Sequence, residues 1–90
     1  LSDILYAEAY GRNCIITSLS GTKTIMRMNL AEFQEKADQR FMAVHRSYII
    51  NTECISMIRK YEGILMNEFA IPIPVKKYRE VREMLLERLK

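Results

Sequence analysis

Hydrophobic and polar positions alternate along most of the chain and fall into a helical period only twice. In Asp3-Ile-Leu-Tyr-Ala-Glu-Ala9, Ile4, Tyr6 and Glu8 would share one face and Leu5, Ala7 and Ala9 the other, the two-residue period of a strand. Tyr10-Gly11-Arg12 reads as a tight turn, because glycine supplies the positive φ such reversals use. Residues 13–19, with Ile15, Ile16 and Thr17, form a second strand. Ser20-Gly21 turns again, and 22–28 closes a three-strand meander. At Asn29 the period changes. Asn29 and Glu32 have the spacing of a capping box, and Leu30, Phe33 and Ala37 fall on one helical stripe. A short helix is expected over 30–38, burying Leu30 and Phe33 across one end of the sheet.

Beyond it, Phe41–Val44 and Tyr48–Ile50 are apolar runs separated by His45-Arg46-Ser47. Glu53–Tyr61 reads as a strand, Glu62-Gly63 as a turn, and Ile64–Met66 as the returning strand. Asn67-Glu68 turns once more into Phe69–Ile73, which Pro72 restricts to a sheet edge because it has no N–H to donate. Pro74 suits a first helical turn. Tyr78, Val81, Leu85 and Leu89 then recur at helical spacing, predicting a helix over 75–89 packed on the sheet. Met84 and Leu86 lie off that stripe and could meet a second subunit. The pattern describes a mainly β domain with two helices, in which the six methionines are expected to be core filler.

Ninety residues (10.6 kDa) fit a single domain spanning 1–90. An apolar share of 49% against 28% charged excludes a disordered chain. The longest apolar runs are far short of the roughly 20 residues a membrane helix needs. Leu1-Ser2-Asp3-Ile4 lacks the basic start of a signal peptide, and an opening Leu rather than Met suggests a piece of a longer chain. Cys14 and Cys54 sit in apolar stretches and read as buried reduced thiols of a cytoplasmic protein.

The chain carries little that could do chemistry. One histidine, no Cys-x-x-Cys and three glycines leave no metal-ligand spacing and no phosphate cradle, so neither an enzyme, a metal nor a cofactor is expected. Residues 1–75 hold as many acidic as basic side chains. The net +3 therefore comes entirely from 76–90, where Lys76, Lys77, Arg79, Arg82, Arg88 and Lys90 outnumber Glu80, Glu83 and Glu87. A positive end of this kind favours a polyanionic partner.

Arg40-Phe-Met-Ala-Val-His-Arg-Ser-Tyr-Ile-Ile-Asn51 resembles the central signature of the LytTR-type DNA-binding domain. Asp3–Glu8 resembles that family's opening strand, Met28–Glu32 the start of its short helix, and 55–63 with Ile71-Pro72-Ile73 its last strands. The likeness is collinear over nearly all of the chain, although the family's first strands would precede residue 1. It implies an elongated β-fold that binds double-stranded promoter DNA through connecting loops, in successive major grooves on one side of the duplex. It also implies an output domain of a bacterial two-component response regulator, with a receiver domain in the same chain and a homodimer on DNA as a further option.

On that likeness the candidate contacts are Arg12 and Asn13 after the first turn, His45 and Arg46 between the apolar runs, and Lys76 and Lys77 at the last helix. Arg can donate two parallel hydrogen bonds to guanine O6 and N7, and Asn can pair with adenine by donating to N7 and accepting from the N6 amino group. Lys76 and Lys77 oppose the helix dipole, a cost that a bound phosphate would offset. They follow Pro74-Val75, where the family has Ser-Arg. The competing readings are an ion pair of Arg46 with Asp38 or Glu53, a loop-bracing role for His45, turn chemistry for Asn13 and solubility for the lysines. Asn51 is expected to cap a backbone group. A second function, from another class, is peptide binding by strand addition at the 69–73 edge.

Overall fold

The first hairpin of the domain closes where glycine allows it. Gly11 has φ +60° and heads a two-residue turn between β1 (Ile4–Tyr10) and β2 (Asn13–Ser18). The computed structural model describes residues 3–88. β3 (Lys23–Met26), α1 (Leu30–Lys36), β4 (Phe41–His45) and β5 (Tyr48–Asn51) follow, then a short 3-10 turn over Thr52–Cys54. β6 (Ile55–Arg59), β7 (Glu62–Leu65), β8 (Ala70–Pro72) and α2 (Val75–Arg88) complete the chain. The strands form a five-stranded antiparallel sheet in the order β3-β2-β1-β5-β4 and a three-stranded one in the order β6-β7-β8. The fold is mainly β, with β8 at the edge that Pro72 demands.

Two apolar clusters hold it together. One joins Leu5, Tyr6, Val44 and Ile50 of the large sheet to Leu65 and Ile71 of the small sheet and to Val81 and Leu85 of α2. The other lies under α1, where Phe33 packs edge-on against Phe41 above Ala7, Cys14, Ile16 and Ile49. Phe69 stacks on Tyr6 at 5.1 Å, adding a ring contact between the sheets. Asn29 and Glu32 form the expected capping box, with Glu32 N–H donating to Asn29 Oδ1 at 2.9 Å.

Several expectations shift. The register slips between Ile4 and Tyr6, so Leu5 and Tyr6 both enter the first cluster while Ile4 and Ala7 serve the second. A β-bulge thus replaces strict alternation. α1 stops at Lys36 because Asp38 Oδ1 accepts the Arg40 N–H at 2.9 Å, a local turn that competes with the helix. Leu30 is only half-buried. The β6–β7 turn is Lys60-Tyr61 rather than Glu62-Gly63. Tyr61 takes the positive φ (67°), and buried Gly63 lies within β7 beneath Ile73. Met57, Met66 and Met84 are exposed, since Ile55, Leu65, Val81 and Leu85 already fill the core beside them. Both cysteines are free and buried. On α2, Val81 and Leu85 are buried and Tyr78 half-buried; Leu89 lies outside the described residues.

Candidate nucleic-acid interface

Three connections supply the six residues singled out by the sequence. Gly11-Arg12 forms the β1–β2 turn. It leaves Arg12 exposed and sets Asn13 at the start of β2, opposite Tyr10. Arg46-Ser47 forms the β4–β5 turn. The Ala9 N–H donates to the Ser47 carbonyl at 2.9 Å, tying the two turns to the same end of the sheet.

His45 braces its turn. The Ser47 N–H donates to His45 Nδ1 at 3.0 Å, and the imidazole meets the Tyr48 ring edge-on at 5.5 Å. With Nδ1 accepting, the hydrogen-bond pattern assigns the proton to Nε2. Arg46, next in sequence, is exposed. It has no hydrogen bond or ion pair among the described residues. The acids that could have neutralised it are held by Arg40 instead. Arg40 Nε donates to both Asp38 carboxylate oxygens at 3.0 Å, its Nη2 reaches Asp38 Oδ2 at 2.7 Å, and its Nη1 lies 3.9 Å from Glu53 Oε1. These hydrogen bonds from Arg40 hold the Asp38 carboxyl below the usual carboxylate range.

α2 contributes two exposed lysines in its first turn. Lys77 lines a shallow concavity of about 260 Å³ together with His45 and Arg46, over Leu30, Ala31, Gln34, Ala43 and Ile49. Lys76 is outside that lining. The structure therefore brings His45, Arg46 and Lys77 together, with Arg12 and Asn13 at the next turn of the same rim. The sequence reading passed over two further exposed side chains there, Tyr10 and Arg27. Both are visible only through strand register, which pairs Tyr10 with Asn13 and Met26 with Cys14.

The description "LytTr DNA-binding domain" belongs to the family that matches residues 1–86. The chain belongs to that family. LytTr domains are DNA-binding domains, not enzymes. Among solved structures, the chain matches the LytTr DNA-binding domain of a Bacillus cereus protein named as a methyl-accepting/DNA response regulator. The TM-score is 0.81 at 22% identity, covering 94% of this chain and 82% of the other, a likeness that establishes the LytTr fold. No curated protein matches the chain. Among the described residues, no helix of this LytTr domain is long and apolar enough to cross a membrane.

Proposed function

We propose that this LytTr domain reads double-stranded promoter DNA through Arg12, Asn13, His45, Arg46, Lys76 and Lys77, with its connections entering successive major grooves. In this reading it is the output domain of a cytoplasmic bacterial response regulator whose receiver domain lies in the same chain. The observation that carries the reading is Arg46: an exposed guanidinium without an acidic partner among the described residues, on a turn braced by His45, sharing a concavity with Lys77. Phosphate contacts from the lysines position the domain, and Arg46 and Asn13 carry the base preference.

Strand addition at the 69–73 edge is less favoured. β8 has only the three residues Ala70–Pro72, and Pro72 and Pro74 leave that edge short of donors.

The test is a binding titration by fluorescence anisotropy, comparing a duplex selected from a random-sequence pool with a random duplex. Arg46→Ala is expected to weaken the selected duplex by about 1–3 kcal/mol and to relax preference at one base pair. Lys76→Ala should weaken both duplexes alike. If about four to six phosphates are neutralised, log K falls against log salt with a slope of roughly −4 to −5. Specific binding that survives Arg46→Ala unchanged would refute the base-reading role.

A further inference from the structure

The rim holds one exposed cation that the reading above leaves without a role. Arg27 directly follows β3. The pairs Ile15↔Ile25 and Cys14↔Met26, carried one step further, set it across from Asn13. Asn13 faces Tyr10, and the Ala9 N–H reaches the turn of Arg46 through Ser47. With the strand order β3-β2-β1-β5-β4, the rim runs Arg27, Asn13, Tyr10, Arg46, with Lys77 beyond on the β4 side. At about 4.8 Å per strand, Arg27 stands roughly 14 Å from the turn of Arg46. Like Arg46, it has no hydrogen bond, ion pair or ring contact among the described residues, and it is exposed.

We propose that Arg27 is the outermost phosphate contact of the DNA interface, gripping the backbone at the end of the footprint opposite Lys77. The proposal rests on the DNA-binding reading above and extends it by one residue and one direction. Position decides the role. Base-reading side chains need the groove, which the central turns reach, whereas a guanidinium at the end of the row meets the sugar-phosphate backbone, where it can donate two hydrogen bonds to one phosphate. Four cations along one rim, Arg12, Arg27, Arg46 and Lys77, then track the duplex over more than the span of any one turn.

The experiment uses the 90-residue protein, a selected duplex and a random duplex, each of about two helical turns. Arg27→Gln should weaken both duplexes by the same factor and make the salt slope shallower by about 0.9. The ratio of wild-type to variant affinity would then shrink about 3.5-fold between roughly 50 and 200 mM salt. Arg27→Lys should keep the wild-type slope. In phosphate-ethylation interference, Arg27→Gln should erase a signal at one end of the footprint and Lys77→Gln a signal at the other. The exposed position predicts an unchanged far-UV spectrum for both variants. A wild-type salt slope for Arg27→Gln, a changed base preference, or loss of signal at the Lys77 end would overturn the assignment. If those results came with a normal Arg46→Ala defect, the role of Arg27 alone would fall. If the wild type bound neither duplex, the DNA-binding reading would fall with it.

Discussion

Asn51 offers the sharpest test of how this sequence holds its sheets in register. The side chain is 1% exposed and uses both ends of its amide. Nδ2 donates to the Ile4 carbonyl at 3.0 Å, and Oδ1 accepts the Glu53 N–H at 3.0 Å. One bond pins the start of β1 just before its bulge; the other caps the 3-10 turn that leads into β6. Asn51→Ala removes both partners. The Ile4 carbonyl is left in a part-buried site, at about 1–3 kcal/mol, while the Glu53 N–H, beside an exposed side chain, can turn to water at a cost of about 1 kcal/mol. The expected loss is about 2–4 kcal/mol, or a fall in Tm of at least about 8 °C for a domain of this size. In urea the midpoint should drop with the slope unchanged. Asn51→Asp is the informative companion. It keeps the acceptor for Glu53 but turns a carboxylate oxygen toward the Ile4 carbonyl, so it should destabilise at least as much as alanine. A loss below about 1 kcal/mol for Asn51→Ala, or a milder effect for Asn51→Asp, would show that the bond to Ile4 does not support the fold.

Two other predictions concern the fold beneath the rim. Burial pushes both thiols up, Cys14 with Glu32 adding to the shift and Cys54 with Glu53. Above about pH 8.5 the unfolded chain therefore releases thiol protons that the folded chain retains, so stability is full below that value and declines as pH rises through it. Equal urea midpoints at pH 7 and about pH 9.5 would contradict this. Gly11→Ala meets no atom within 4 Å, so its effect is conformational alone. At φ +60° it should lower stability by about 1–2 kcal/mol in thermal denaturation, with Gly11→Asn costing less. Equal losses for the two would point to a different cause.

Much of the architecture was legible because local chemistry and tertiary demand agree. Asn29 and Glu32 start a helix in any context that lets them, Gly11 closes a hairpin, and Pro72 selects an edge. The misreadings share the opposite feature: each depends on a partner distant in space or on competition between local options. The bulge near Ile4 appears only once β1 is paired with β2, and it moves Tyr6 to the face that Leu5 also serves. Gly63 looked like a turn residue. It lies buried inside β7, where a Cβ would meet only Ile73 Cδ1 at 3.9 Å, while Tyr61 accepts the left-handed conformation and packs its ring on Tyr78 at 5.2 Å. The charges behave likewise. Sequence spacing allowed Asp38 and Glu53 to neutralise Arg46, yet Asp38 is two residues from Arg40 and forms a closed local pair with it.

That division between two arginines separates a structural cation from one that the proposed interface can use. Arg40 and Arg46 bracket the same strand, β4, and carry the same charge. Arg40 is satisfied by Asp38, approaches Glu53 and lies 5.8 Å from the Phe41 ring centroid. Its work is to close the loop after α1, and any anion would have to displace the carboxylate it already holds. Arg46 sits on a two-residue turn whose polar needs are met without it: His45 accepts from Ser47, and Ser47 accepts from Ala9. Because those bonds fix the backbone, the guanidinium keeps its donors free at no cost to the fold. The proposed rim therefore offers free donors to a polyanion in a chain whose net charge is only +3. Some of the other cations are compensated, as Arg59 is by Glu62 and Arg79 by Glu83. Among the cations without an ion pair, strand register sets Arg12, Arg27 and Arg46 at one end of the sheet, where like charges add toward a shared anionic partner.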